Sequence, residues 1–242
     1  MTYATGWVPV LQVDEDLARR LDDGTAAQAA PLTFAATEWL APGEWRPSAP
    51  APADRSGHLG LLVVEGFLAR RLHVLNRPVT ELLGAGDLLI PWEPDRTDPF
   101  ASGARWEVLE PTRVAVLDRR FTALLGRWPD LTVALVGRAL SRSRSFALHL
   151  AISQLVGVDL RLLALLWHIA DRWGTAGPDG VVLPVHLTHE LLASLVSAQR
   201  STVTRALGAL SERGEVTRRE DGVLVLHGSP PAQFRRAPAL AE

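Results

Sequence analysis

Between Leu187 and Gly214 the chain carries two short amphipathic patterns separated by a two-residue break, and this segment restricts the possible folds more than any other. In the first pattern Thr188 stands where a helix is capped, Glu190 falls in the first turn, and Leu191, Leu192, Leu195 and Val196 make an apolar face. Ser197-Ala198 interrupts the periodicity. The second pattern runs from Gln199 to Arg213, with Val203, Ala206, Leu207 and Leu210 on its inner side and Gly214 as its terminator. Arg200, Ser201, Thr204, Arg205 and Gly208 recur at three- and four-residue spacing on the other side, so they share one exposed strip.

Beyond Gly214, Glu215–Arg219 and Gly222–Leu226 flank Glu220-Asp221-Gly222, whose Asp-Gly pair favours a tight hairpin. Two helices joined by a short turn and followed by a hairpin predict a winged helix. Arginines and hydroxyls near the start of the second helix suit entry into a DNA major groove, where Arg pairs with guanine and Ser or Thr touches bases or phosphates. Arg218 and Arg219, near the hairpin tip, are candidates for phosphate contact. The same pattern also fits an ordinary helical hairpin with a solvated arginine face, or a small-molecule sensor or protein-interaction module whose winged helix does not read DNA.

The overall charge does not decide between these readings. The 242 residues carry a net charge of −2, and with no lysine in the sequence all 25 basic residues are arginine. Residues 1–118 hold 10 Arg and 17 acids, residues 119–157 hold 6 Arg and 1 acid, and residues 158–242 hold 9 of each. The window 197–219 has five Arg against two acids, so a basic patch lies where a DNA-reading helix needs it. The absence of cysteine excludes disulfides, iron–sulfur clusters, thiolate zinc sites and cysteine nucleophiles. No signal peptide is expected from the first residues. No apolar run approaches the roughly 20 residues of a membrane span, so a cytoplasmic location without membrane contact is expected.

Upstream, Leu61–Val64, Phe67–Leu72, Val79–Leu83, Leu88–Ile90, Trp106–Leu109 and Val114–Leu117 are short apolar pieces bounded by turn residues. They read as antiparallel strands of an all-β sandwich or roll, with 91–105 as a loop. From Phe121 the pattern turns helical as far as Gly157. Val133, Val136, Leu140, Ser143, Ala147 and Leu150 recur at three- and four-residue spacing, widened by Leu135, Ala139, Phe146 and Ile152. A stripe of this length fits packing against a second copy of the same helix, or packing on both sides within one chain. Asp159 is a candidate cap for a buried helix over 160–173.

The run from Leu187 to Leu207 resembles the helix-turn-helix of the Crp/Fnr family of bacterial regulators, whose pattern is T-x-x-[ED]-[LI]-A-x-[LI]-[VL]-G-x-[ST]-R-x-[ST]-V-[ST]-R-x-L. The resemblance implies an α+β chain. Its parts would be a cyclic-nucleotide-binding-like β-roll (1–120), a long dimerisation helix (121–157), a winged helix-turn-helix (158–230) and a tail (231–242). It also implies a homodimer binding palindromic double-stranded DNA, with RNA polymerase and an unidentified small-molecule effector as candidate partners. Arg200 and Arg205 fall at the family's base-reading positions, and Thr188 and Gln199 at its phosphate contacts. Ser201 replaces an acidic residue common in the family, and Gln199 replaces Ser or Thr, so the target sequence is expected to differ.

In the front half Pro42-Gly43-Glu44 and Gly84–Leu89 resemble roll turns. The Gly-Glu pair and the Arg-Ser/Thr-Ala of a cyclic-nucleotide pocket are replaced by Ile90-Pro91 and Ser102-Gly103-Ala104, with Arg96 and Arg105 nearby. Loss of a bidentate arginine argues against cyclic AMP. No cofactor is expected. His186 and His189 lack a supporting ligand for a metal, His58 and His73 are the candidate haem ligands by resemblance, and Glu93, Asp95 and Asp98 read as a solvated cluster. Trp106, Trp167 and Trp173 are expected in packing, with Trp92 as a candidate ligand contact. No phosphate loop, nucleophile elbow or carboxylate pair suggests an enzyme.

Overall fold

The structure, a computed structural model, describes residues 2–47, 57–74, 77–92 and 103–235. Glu93, Asp95, Arg96, Asp98, Ser102 and the tail beyond 235 lie outside the described residues. The chain divides into two units, residues 1–145 and 146–242.

In the first unit, strand β1 (Thr2–Pro9) leads into three short helices, α1 (Val10–Val13), α2 (Glu15–Ala18) and α3 (Asp23–Ala29). Asp14 and Asp22 cap the second and third by accepting from Leu17 N–H at 2.9 Å and Thr25 N–H at 3.0 Å. Strands β2 (Phe34–Leu40), β3 (Gly43–Trp45), β4 (Gly60–Glu65), β5 (Phe67–Val74), β6 (Arg77–Gly84), β7 (Leu88–Leu89), β8 (Gly103–Val108) and β9 (Thr112–Leu117) follow. They form two antiparallel sheets, β1-β2-β9-β4-β7 and β3-β8-β5-β6. Gly66 makes the β4–β5 turn at φ +86°, where a Cβ would lie 2.4 Å from the Pro111 carbonyl oxygen, so only glycine fits.

The expected strands are all present, but the region before residue 47 holds more order than its mixed composition suggests. β1 pairs with β2 from Thr2↔Leu40 to Pro9↔Phe34, joining residues some thirty positions apart. The first sheet separates two cores. Leu61, Val63, Leu68, Leu83, Trp106 and Val108 fill the roll, while Val8, Leu17, Leu62, Leu117, Phe121 and Leu131 pack on the helical side. Alternating residues of a strand face opposite ways, so a sheet covered on both sides is apolar throughout.

The helical region from Phe121 is two helices, not one: α4 (Arg119–Leu125) and α5 (Pro129–Ser153). Asp118 caps α4, accepting from Arg120 N–H and Phe121 N–H at 3.0 Å each. Pro129 lacks the N–H that a continuing helix would use, so it starts α5 instead, with Asp130 in the first turn.

The second unit contains α6 (Val158–Trp173), the hairpin β10 (Thr175–Gly177) and β11 (Gly180–Val182), α7 (His189–Leu195), α8 (Arg200–Glu212), β12 (Val216–Arg218), β13 (Leu224–Leu226) and α9 (Ala232–Arg235). Its sheet has the order β10-β11-β13-β12. Asp159 does not cap α6. Gly157 holds the N-cap position at φ +92°, a conformation the aspartate would adopt only under strain, and Asp159 stands in the first turn. Leu162, Leu163, Leu165, Leu166 and Ile169 bury the helix as expected, but Trp167 and Trp173 stay partly exposed, with Arg172 stacked on the Trp173 ring at 3.8 Å.

Candidate nucleic-acid interface

α7 and α8 are the two helices expected from 187–213. The Thr188 hydroxyl oxygen accepts from Leu191 N–H at 3.1 Å, which fixes the start of α7. Its end is held by side chains from elsewhere in the unit. His149 Nε2 lies 2.8 Å from the Leu195 carbonyl oxygen, and Arg161 donates to the Val196 carbonyl at 2.8 Å. These bonds occupy carbonyls that a helix end leaves without partners. Ser197 then turns the chain at φ +51°, the only described non-glycine residue in the left-handed region.

Gln199 sits at the N-cap of α8 but makes no side-chain capping bond. Val203, Ala206, Leu207 and Leu210 are buried, and Arg200, Ser201, Thr204, Arg205 and Gly208 are exposed together, as their spacing predicts. The hairpin closes through Arg219 N–H to the Val223 carbonyl at 2.9 Å, and the Asp221 carboxylate accepts from Val223 N–H at 3.1 Å. Gly222 turns at φ +84°, with the His186 ring 2.7 Å from where a Cβ would stand. That turn seats the hairpin tip against the residues leading into α7.

The five arginines of the basic window have different surroundings. Arg213 donates to Glu215 at 2.9 Å, and Arg219 lies 3.3 Å from Asp221. Arg218 donates to the carbonyls of Gly222 at 2.6 Å and Leu187 at 3.2 Å, bracing the hairpin against the start of the helix-turn-helix while its charge stays uncancelled. Arg200 and Arg205 form no ion pair among the described residues. The positive field of this surface therefore centres on Arg200, Arg205 and Arg218.

His189 joins this group, although its spacing marks it out only by closeness to His186. Its Nδ1 lies 2.8 Å from the Thr204 hydroxyl, linking α7 to α8 across the turn. Partial burial, then the charges of Arg218 and Arg200, hold its imidazole below the ordinary histidine range. Among the described residues no three His, Asp or Glu side chains converge to hold a metal ion. No helix among them is long and apolar enough to cross a membrane.

Residues 160–227 match the family model of the Crp-like helix-turn-helix domain. The chain is 32% identical over 91 residues to the regulatory protein CysR of Synechococcus elongatus, covering 35% of this chain and 44% of that protein. It is 32% identical over 87 residues to the anaerobic regulatory protein of Bacillus subtilis, covering 36% and 34%. These matches span less than half the length of either relative. Among solved structures, a cyclic nucleotide-binding domain containing protein from Listeria monocytogenes superposes with a TM-score of 0.64 at 14% identity, over 88% of this chain and 97% of that one. FixK2 from Bradyrhizobium japonicum gives 0.58 at 17%, over 86% and 99%, and a CooA variant from Carboxydothermus hydrogenoformans gives 0.55 at 20%, over 82% and 85%. Residues 160–227 thus match a Crp-like helix-turn-helix domain, in a chain that shares its fold with these three solved structures.

Proposed function

We propose that the protein is a sequence-specific DNA-binding transcription regulator, acting as a homodimer on a palindromic site in the cytoplasm, and not an enzyme. The observation that carries this reading is the strip on α8, where Arg200, Ser201, Thr204 and Arg205 are exposed and the two arginines carry no ion pair among the described residues. Arg200 and Arg205 read bases, while Thr188 and Gln199 contact phosphate. Arg218 supports them by its charge and by holding the hairpin, and Arg219 reaches a phosphate on giving up Asp221.

The dimer reading is supported by α5. Val133, Val136, Leu140, Ser143, Ala147 and Leu150, the six positions of the expected stripe, are all exposed, Val133 to 70% and Leu140 to 51%. The 3-4-3-4-3 spacing is that of a two-helix seam, and a second copy of the same stripe is its self-complementary occupant. Such a dimer places its half-sites roughly one helical turn of DNA apart, about 34 Å.

The roll takes an effector other than cyclic AMP, or none. The phosphate-holding arginine is absent from its sequence, and the arginines Arg70 and Arg142 are both engaged by Glu81. RNA polymerase is a candidate partner. Selection from random double-stranded DNA with the full chain tests the whole proposal: an enriched palindrome with half-sites a helical turn apart is the expected result, and no enrichment overturns it.

A further inference from the structure

A threonine hydroxyl has one proton and two lone pairs. The Thr204 oxygen lies 3.0 Å from the Arg200 carbonyl oxygen and 2.8 Å from His189 Nδ1. A carbonyl can only accept, so the Thr204 proton goes to Arg200. His189 Nδ1 must then carry a hydrogen and donate it to Thr204. No other assignment satisfies both contacts, and it holds for the neutral and the protonated ring alike, because Nδ1 carries its hydrogen in both.

Thr204 is exposed in the middle of the strip on α8, yet it has no proton left to offer a base. Guanine O6 and N7 and thymine O4 are acceptors and need a donor. The oxygen keeps one lone pair, which can only accept, and beside it stands the γ-methyl, whose complement in the major groove is the 5-methyl group of thymine. We propose that Thr204 reads a thymine through methyl–methyl contact and that His189 is the positioning residue that holds it in that role. The inference rests on the DNA-binding reading above and names what one residue of that interface recognises.

The test uses the site recovered by random-DNA selection. In otherwise identical duplexes, each thymine of the half-site and its symmetric mate are replaced by uracil, one position at a time, and affinity is followed by fluorescence anisotropy. At one position uracil should weaken binding about fourfold per half-site, the value of one methyl-sized group removed from water. Thr204→Val, which keeps the methyl, should retain that penalty, Thr204→Ser should abolish it, and His189→Ala should reduce it. Thr204→Ser keeps both hydrogen bonds and is expected to leave the thermal midpoint unchanged. A recovered palindrome with no uracil-sensitive position overturns the methyl readout alone, as does a penalty that survives in Thr204→Ser, which would mean that a group other than the Thr204 methyl meets the thymine methyl. Failure to recover any palindrome overturns the DNA-binding reading and this inference with it.

Discussion

Arg142 of α5 meets Glu81 of β6 in a two-point ion pair, Nε to Oε1 at 2.9 Å and Nη2 to Oε2 at 3.0 Å, and its third nitrogen donates to the Leu88 carbonyl at 3.0 Å. Arg70 completes the group at 2.8 Å from Glu81 Oε2, and Glu81 itself is only 4% exposed. One turn earlier on α5, Arg138 pairs with Asp14. The long helix is thereby pinned to the roll and to the N-terminal helices on one side, which leaves the Val133–Leu150 stripe facing outward.

A buried carboxylate shared by two guanidinium groups makes the single substitutions costly. Glu81→Ala or Arg142→Ala should each destabilise the fold by about 3–5 kcal/mol, because the partner is left charged and desolvated. The double variant Glu81→Ala with Arg142→Ala should cost well under the sum, since Arg70 is about a quarter exposed and can regain water. Urea denaturation of the four proteins measures the coupling.

Ser197 is in the left-handed region, which costs an L-residue with a Cβ about 1–2 kcal/mol. Ser197→Gly removes that strain and restores about 0.5–1 kcal/mol of chain entropy to the unfolded state. A net gain of about 0.5–1 kcal/mol is expected, read as a higher thermal midpoint. An unchanged or lower midpoint would show that the turn does not strain the serine.

Within the strip, Arg200→Ala and Arg205→Ala should each weaken specific DNA binding by about 1–3 kcal/mol and relax preference at one base pair. Arg213→Ala should change little, since its charge is already balanced by Glu215. Gel-shift titrations at one fixed salt concentration compare the three.

Leu140→Glu tests the seam. Leu140 is 51% exposed, so each dimer buries the open half of two leucines, about 1 kcal/mol apiece, and the dissociation constant should rise about thirtyfold before any cost of burying the two carboxylates. Sedimentation equilibrium should show a dimer for the parent chain and a monomer for the variant at micromolar concentration.

His189 gives opposite pH trends for folding and for DNA binding. Its folded-state pKa lies below the ordinary 6.5, so the unfolded chain binds more protons between those two values. Its contribution to stability is complete above about pH 6.5 and declines as pH falls towards the folded value. A DNA phosphate nearby favours the protonated ring, so affinity should rise as pH drops from about 7.5 to 6. His189→Gln should flatten that rise in an anisotropy series.

The residues that can be read in order are those whose causes are local. Thr188 caps a helix by accepting from an N–H three residues on, Pro129 starts one because of its missing N–H, and Arg200, Thr204 and Arg205 share a face because 3.6 residues make a turn. The winged helix, the strands from Leu61 onward and the stripe of α5 were legible on those grounds. Long-range partners were not. β1 pairs with β2 across a run of short helices, Asp159 yields its cap to a glycine, and Arg138 and Arg142 of α5 pair with acids 124 and 61 positions away. Periodicity and capping act over a few residues, so the order of residues along the chain suffices for the helices, most of their caps and the strip of arginines. Which arginines hold the fold and which stay without an ion pair on α8 was settled in three dimensions, because an ion pair depends on distance in space, and only folding brings Glu81 to Arg142 and His189 to Thr204.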